Sequence, residues 1–395
     1  MIFPSRAAGW ALFGVALLAG FPCLSGCSGA SHASLAPTGS RIALPPAGKL
    51  YHGVYPGGKT GEEDDITATD VRSYQDTVGQ KVAWVYFSDN WYRSRAFPLA
   101  TCTWIRKLGS VPFVRLMLRS SPDEISAAGH HAAPKAQGGP RPAATETVFT
   151  LQAIIDGDFD ADLTAWAQGA KAFGTPMIVE YGTEVNGAWF PWNGKYAGAG
   201  TLNGFGDPTK PDGPERFVAA YRHIVNLMRN AGASNLTWVF HVNWDDTPEA
   251  AWNRFTQYYP GGDVVDWLGI SGYGYLTSQD DYPPESLRME MDSAYEELTA
   301  LAPGKPIMLL EFGCTAGNPQ TAPEDWAQAA LDDLFANRWP RVRGFSWWNE
   351  HWENDDDPAD DTTMRVQDTP ALAQVFSDTL AAHAAKLQTR PVYGR

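Results

Sequence analysis

The sequence lacks the short motifs that mark metal, nucleotide and redox sites. It contains no CxxC pair, no HExxH motif and no glycine-rich phosphate loop. Those spacings supply zinc ligands, redox thiols or backbone amides for phosphates in many proteins. We therefore expect no metal ion and no cofactor.

Basic residues are scarce, with 30 Lys and Arg against 45 Asp and Glu and a net charge of -15. Proteins that bind nucleic acids present basic surfaces to phosphates, so we expect no such partner. Aromatic residues are plentiful: 16 Trp, 15 Tyr and 18 Phe. A neutral polymer such as a polysaccharide suits an acidic, aromatic-rich protein. The alternative is an acidic soluble protein without such a partner.

A long hydrophobic run is also missing. The apolar stretch of residues 10–21 follows Arg6 and is shorter than the roughly 20 residues of a transmembrane helix. It predicts a cleaved export signal. Leu24-Ser-Gly-Cys27 then resembles a bacterial lipobox, which implies a lipid on Cys27 and an anchor in the cell envelope. An ordinary secretory signal is the alternative.

Only four cysteines are present. With Cys23 removed and Cys27 lipidated, Cys102 and Cys314 remain in the mature chain. An exported compartment permits a disulfide between them, and their pairing stays open.

Apolar runs of strand length alternate with amphipathic, helix-like segments, and no repeat of fixed period is present. The runs are residues 50–55, 82–88, 111–119, 176–184, 236–243, 266–273, 306–311 and 343–349. Eight such units predict a (β/α)8 TIM barrel. An open doubly wound sheet is the alternative, but its glycine fingerprint is missing. We predict a signal peptide at 1–27, a flexible tether at 28–47 and one barrel domain at 48–390.

Two Gly-rich segments, 120–145 and 194–212, follow strand ends and predict long loops on the C-terminal face of the barrel. The first contains His130 and His131, which we interpret as a solvated pair, with metal binding as the alternative. The acidic run at 350–361 is interpreted as a solvated loop, with calcium binding as the alternative.

The segment at 176–192 carries the first chemical signal. An apolar run ends at Glu184 and Asn186, and Trp189 and Trp192 follow. A carboxyl group can deliver a proton, an amide can bind a hydroxyl group, and an indole can stack on a sugar. We therefore predict Glu184 as catalytic and the other three as substrate-binding residues.

A second carboxylate, Glu311, ends the apolar run of strand 7. Barrel strands open with their C-terminal ends on one face, so Glu184 after strand 4 and Glu311 should meet there. Glycoside hydrolysis needs two such groups, one as acid and one as carboxylate. Asn243 and Trp244, at the end of strand 5, are further substrate-binding candidates.

Most of the mature chain resembles glycoside hydrolase family 26, the β-mannanase family of retaining barrel hydrolases. The similar segments are residues 184–192, 221–239, 259–269 and 305–313. The resemblance implies Glu184 as general acid/base, Glu311 as nucleophile and Tyr273 as a hydrogen-bond partner of that nucleophile. The aromatic sugar contacts that it implies are Trp189 and either Trp347 or Trp348.

Two positions depart from that family's usual pattern. Its acid/base Glu normally follows a His directly and an Arg by four residues, and Thr183 and Glu180 stand here instead. Strand alternation places Glu180 on the same face as Glu184 but deeper in the barrel. A buried carboxylate needs a partner, and we expect Arg115 to supply it.

These features together predict an endo-acting, retaining glycoside hydrolase of a β-linked polysaccharide, mannan-like by resemblance. One alternative is another polysaccharide: a mixed-linkage glucan, a xylan or a bacterial exopolysaccharide. A second is a glycan-binding surface lipoprotein of weak activity. We expect an exported monomer attached to a membrane through its lipid.

Overall fold

The structure is a computed structural model that describes residues 41–57, 65–121, 146–352 and 358–394. Several sequence predictions concern residues outside those ranges. They are the signal peptide, the lipidated Cys27, the tether up to residue 40, the histidines at 130 and 131, and residues 353–357 of the acidic run.

Eight parallel strands close into a barrel, in which strand 1 pairs with both strand 2 and strand 8. The strands, numbered 1 to 8 in chain order, are Leu50–Tyr55, Trp84–Asn90, Val111–Met117, Met177–Tyr181, Leu236–Asn243, Trp267–Tyr273, Ile307–Gly313 and Val342–Trp348. The predicted (β/α)8 fold is confirmed, with strand bounds that differ by up to three residues.

Helices connect the strands on the outside of the barrel. Their bounds are Ala68–Val78, Leu99–Lys107, Leu151–Asp156, Asp160–Phe173, Asp212–Asn230, Leu287–Leu301, Pro323–Phe335 and Pro370–Ala382. Thr67 begins the first of them with a capping box, which satisfies exposed backbone N–H groups. Among the described residues, none of these helices combines the length and the apolar character that a membrane crossing requires.

Two apolar layers hold the barrel together. The inner layer fills the barrel and includes Tyr51, Tyr86, Phe113 and Val239. The outer layer lies between strands and helices and is the larger. Because side chains of a strand alternate between faces, each strand contributes to both layers.

The chain before strand 1 packs on the barrel. Arg41–Ile42 pairs antiparallel with Tyr393–Gly394, and Arg41 Nη1 lies 2.8 Å from Asp266 Oδ1. The backbone N–H of Ile42 donates to Thr237 Oγ1 at 3.0 Å. Arg41 and Ile42 therefore contact the barrel, and the predicted boundary between the tether and the barrel domain at residues 47 and 48 stays a prediction.

Strand 7 is irregular where it approaches the C-terminal face. Its register against strand 6 shifts, so that Ile270 pairs with Leu309 and Ser271 pairs with Glu311. The skipped residue, Leu310, packs in the inner layer. Such a bulge re-aims the side chain that follows it, and both Leu310 and Glu311 face the barrel interior as a result.

Cys102 and Cys314 are both buried free thiols, so the disulfide that the sequence permitted is not formed. The Gly-rich loop after the tryptophan cluster is tied together by Asp212, whose carboxylate accepts from the backbone N–H groups of Gly204 and Phe205. This loop lies on the C-terminal face, as predicted.

Candidate active site

Glu184 lies in a turn directly after strand 4. Its φ of 47° belongs to the left-handed region, which is uncommon for residues other than glycine. The carbonyl of Glu184 accepts from the N–H of Gly187 at 2.7 Å. Its side chain is held by Trp189, whose Nε1–H donates to Oε2 at 2.7 Å. The turn therefore fixes the direction of the carboxyl group toward the barrel axis.

Glu311 faces the same interior from strand 7 and is 3% exposed. The Tyr273 hydroxyl donates to its Oε2 at 2.8 Å, as the resemblance implied. The Tyr86 hydroxyl lies 3.0 Å from its Oε1, and Arg115 Nε lies 3.9 Å from the same oxygen. Two tyrosines and an arginine thus fix the predicted nucleophile.

Burial raises the pKa of Glu311 to about 7. The positive charge of Arg115 opposes that rise, and the negative charge of Glu184 adds to it. Glu184 and Glu311 therefore sense each other electrostatically across the barrel. This effect places Glu184 near Glu311 inside the barrel, and the catalytic roles of the two residues stay predictions.

Glu180 is fully buried beneath this pair. Its Oε1 accepts from the Tyr86 hydroxyl and from Thr183 Oγ1, the latter at 2.5 Å. The predicted partner, Arg115, has its Nε 3.8 Å from the same oxygen, within ion-pair range. The nearest cation is another residue, since His241 Nδ1 lies 3.0 Å from Oε2.

The geometry of the His241–Glu180 contact is that of an ion pair rather than an aligned hydrogen bond. Burial alone would raise the pKa of Glu180, but His241 and Arg115 outweigh burial and hold that pKa below its usual value. Burial would likewise lower the pKa of His241, and the charge of Glu180 reverses that effect and raises it. Both shifts favour the charged forms of the two residues.

Glu180, His241 and Glu311 are the described residues that could offer three ligand atoms to a metal ion, all within 4.8 Å of one another. The cluster fits a cation poorly, because Arg115 lies within 4 Å of both carboxylates and the Tyr86 hydroxyl contacts both. The positive charge that the carboxylates need is supplied by Arg115 and His241.

Trp348 is the last residue of strand 8, and its side chain faces the barrel interior. Its ring stacks on Tyr55 with centroids 3.7 Å apart, and Arg115 lies over it at 5.2 Å. Its indole N–H has no hydrogen-bond partner among the described residues. Trp347 points to the outer layer, where it is fully buried and donates to the Met364 carbonyl. Of the two predicted platform residues, Trp348 is therefore the one that lies in the inner layer.

Two more predicted sugar contacts are buried side chains. Trp192 is buried and donates to the Thr183 carbonyl at 2.7 Å, so it supports the turn from behind. The amide of Asn186 is fully buried and donates to the carbonyls of Asn243 and Asp245. Both side chains are buried and bonded within the protein, and their predicted role in substrate binding stays a prediction.

Asn243 and Trp244 occupy the loop that Asn186 holds. The Asn243 amide donates to the Asp245 carbonyl at 3.0 Å, which stabilises its own turn. Trp244 is half-buried and packs against the outer layer. The structure gives neither residue a contact with Glu184 or Glu311.

Sequence reasoning missed Tyr86 and His241, which lie at the centre of the site. Val239 faces the barrel interior, so strand alternation also places His241, two residues later, inside. Tyr86 stands two residues after the inward-facing Trp84 on strand 2. Each is a polar residue at an inward-facing position of a predicted barrel strand. That signal was present in the sequence and could have identified both.

With this geometry established, comparisons with known proteins give consistent results. The model of glycosyl hydrolase family 26 matches residues 127–310. The matched part contains Glu184, His241 and Tyr273 and ends one residue before Glu311.

Two curated relatives are similar over part of the chain. Endoglucanase H of Acetivibrio thermocellus is 28% identical over 232 residues, which are 58% of this chain and 23% of that protein. The mannan endo-1,4-beta-mannosidase of Bacillus subtilis is 27% identical over 180 residues, which are 45% of this chain and 40% of that protein. The match thus spans less than half the length of either relative.

Solved structures agree in fold. GH26C from Muricauda sp. MAR_2010_75 superposes with a TM-score of 0.55 and 16% identity, covering 86% of this chain and 87% of that one. At this identity the likeness concerns the fold alone, and it extends over nearly all of the described barrel.

Proposed function

We propose, from the match to the model of glycosyl hydrolase family 26, that the chain is an endo-acting, retaining hydrolase of a β-linked polysaccharide. One observation carries the proposal: Glu184 and Glu311 face each other inside the barrel, and each is held by its own aromatic donor. Trp189 binds the first and Tyr273 the second. This is the pair of carboxyl groups that glycoside hydrolysis requires.

In the first step, the Glu311 carboxylate attacks the anomeric carbon and forms an ester bond to it. The glycosidic C–O bond breaks, and Glu184 gives its proton to the leaving oxygen. Tyr273 keeps Glu311 oriented, because its hydroxyl donates a hydrogen bond to Oε2.

In the second step, the Glu184 carboxylate takes a proton from a water molecule. The water oxygen bonds to the anomeric carbon, the ester bond breaks, and Glu311 leaves as a carboxylate. The indole of Trp189 supports this step, since it donates to the carboxylate that has just lost its proton. The anomeric configuration of the sugar is retained.

A mannan-like polymer is the first substrate that we propose, because one relative is named a mannan endo-1,4-beta-mannosidase. A β-glucan is the second, because another is named an endoglucanase. Thr183 adds a reason to test both. Its hydroxyl is buried and donates to Glu180, so it is not available to a sugar.

The test incubates the purified protein with mannan, mixed-linkage β-glucan, xylan and bacterial exopolysaccharides, and follows new reducing ends. Glu184→Gln and Glu311→Ala serve as inactive variants. Cleavage by the wild type alone supports the hydrolase. Binding of a polymer by all three proteins without cleavage supports the glycan-binding alternative and refutes the hydrolase.

We also propose that the chain is exported and lipidated on Cys27, which rests on the short apolar run after Arg6 and on Leu24-Ser-Gly-Cys27. Expression in bacteria fed an alkyne fatty acid tests the proposal. The wild type should take up the label and enter the membrane fraction, and Cys27→Ala should do neither. Equal labelling of both would exclude this anchor.

A further inference from the structure

We propose that Glu180 and His241 form a buried ion pair that allows the Tyr86 hydroxyl to serve Glu311 as well as Glu180 and so favours the charged form of the nucleophile. This inference rests on the proposed hydrolysis, because it assigns a task to the nucleophile of that reaction. Glu180 and His241 act through Tyr86 and are positioning residues.

The starting observation is that one hydroxyl group contacts two carboxylates. The Tyr86 oxygen lies within hydrogen-bond distance of Oε1 of both Glu180 and Glu311, and its contact with Glu180 is the shorter of the two. A tyrosine has one proton and can donate to only one of them at a time. The carboxylate that does not receive this proton must be satisfied in another way.

Glu180 has a second hydrogen-bond donor and a cation beside it. Thr183 donates to its Oε1, and Thr183 in turn accepts from Arg115 Nε at 3.3 Å. On the opposite side, Oε2 faces His241 at 3.0 Å. Glu180 is therefore neutralised and hydrogen-bonded without Tyr86, and the tyrosine proton can turn toward Glu311.

A contact on the side of the ring away from Glu180 holds His241 in place. Its Nε2 lies 2.7 Å from the hydroxyl of Ser271 on strand 6, so the ring stands between Ser271 and Glu180. Both His241 and Ser271 are fully buried. No rotation of the ring is needed for Nδ1 to face the carboxylate.

The charges balance only when His241 is protonated. The buried cluster then contains two carboxylates, Glu180 and Glu311, against Arg115 and the imidazolium. Loss of the imidazolium charge leaves one uncompensated negative charge among buried side chains, and proton uptake by Glu311 is the least costly remedy. The titratable or polar groups that face the pair from the surrounding elements are Tyr86, Arg115, Thr183, Glu184, Ser271, Tyr273 and Glu311.

The test measures the titration of Glu311 directly, without substrate. The full chain is labelled with [5-13C]glutamate, and the Glu311 resonance is assigned by its loss in Glu311→Gln. His241→Gln should raise the titration midpoint of Glu311 by about one pH unit or more, the effect of removing an opposite charge within 4–6 Å. The double variant Glu180→Gln/His241→Gln restores the charge balance, and its midpoint should return to that of the wild type.

A merely structural role would give a different pattern. A disturbed cavity would shift the titration midpoint of Glu311 equally in His241→Gln and in the double variant. The ion pair predicts instead that the added Glu180→Gln change reverses the shift. His52→Gln is the matched control, because His52 is also fully buried but binds Tyr74 on the other side of strand 1. It should leave Glu311 unchanged.

The proposal is overturned if His241→Gln leaves the titration midpoint of Glu311 unchanged. It is also overturned if that midpoint is shifted as far in the double variant as in His241→Gln. If His241→Gln does not fold, the side-chain 15N shifts of the wild type decide. A neutral His241 at pH 6 contradicts the ion pair, and an imidazolium supports it.

The pH profile of kcat/KM on the cleaved polysaccharide connects the ion pair to catalysis. Its acidic limb should move with the Glu311 midpoint. If the titrations behave as stated but the wild type cleaves no polymer, the proposed hydrolase has failed. If the wild type cleaves a polymer and the titrations do not respond, the ion pair has failed.

Discussion

The indole N–H of Trp189 donates a hydrogen bond to Oε2 of Glu184 at 2.7 Å, between residues only five positions apart. The bond closes a turn in which Glu184 has a positive φ. Glu184 is thereby held in one orientation by its own downstream chain, and this relationship can be tested separately from the carboxyl group itself.

We expect Trp189→Phe to lower kcat about tenfold or more. The substitution keeps an aromatic ring but removes a hydrogen bond to an ionisable group, which contributes about 1.5–3 kcal/mol. Trp166→Phe is the control, because it removes an indole bond of 2.9 Å to Asp89 and should reduce stability but not kcat. Equal kcat values for wild type and Trp189→Phe would contradict this role.

Tyr273→Phe should reduce kcat and shift the acidic limb of the pH profile upward. The Tyr273 hydroxyl donates to Glu311 Oε2, and a hydrogen bond to the ionised form stabilises it. Its loss raises a pKa that burial has already raised to about 7. Tyr275→Phe provides the comparison, since that hydroxyl binds the Tyr282 carbonyl. A profile of Tyr273→Phe that coincides with the wild type would exclude the contact from catalysis.

Trp347 and Trp348 are adjacent but should respond differently to substitution. Trp347→Ala should reduce the free energy of unfolding by about 3–5 kcal/mol, because it empties a buried site in the outer layer. Trp348→Phe should raise KM roughly three- to tenfold with little loss of stability, because a smaller ring replaces the indole. Thermal unfolding and steady-state kinetics on both variants measure the difference. A larger KM change in Trp347→Ala would reverse the assignment.

The alternation of apolar runs and helices was enough to predict the barrel, and the position of Glu184 and Glu311 at strand ends was enough to bring them together. The roles of individual side chains were harder to predict. Tryptophan is a residue type that often binds sugars, and Trp192 and Trp347 were selected for that reason. A shift of one position along the chain, however, changes the face of a strand or turn on which a side chain lies.

Two local irregularities explain most of what the sequence did not reveal. Simple alternation places Leu310 and Glu311 on opposite faces of strand 7, and only the bulge beside Ile270 turns both inward. Strand 4 ends three residues earlier than predicted, so Glu184 stands in a left-handed turn and not in the strand itself. His241 was missed because its partner, Glu180, comes from a different strand, and long-range pairs leave no mark in a single sequence.

The free energy of unfolding should depend on pH because of Glu311. Its pKa is about 7 in the folded protein and close to 4.3 in an unfolded chain. Between these values the folded state binds more protons than the unfolded state, so the contribution of Glu311 to stability falls as pH rises. It is fully present below the unfolded pKa and is lost through about pH 7.

Glu311→Gln removes this dependence while it keeps the size of the side chain. At pH 7 the variant should be more stable than the wild type by up to about 3 kcal/mol, and near pH 4 the two should converge. Glu180 and His241 titrate in both proteins, so the difference between their unfolding curves isolates Glu311. Denaturant unfolding at several pH values measures it. A constant difference across that range would show that Glu311 is ionised throughout, and that its neighbours compensate its burial fully.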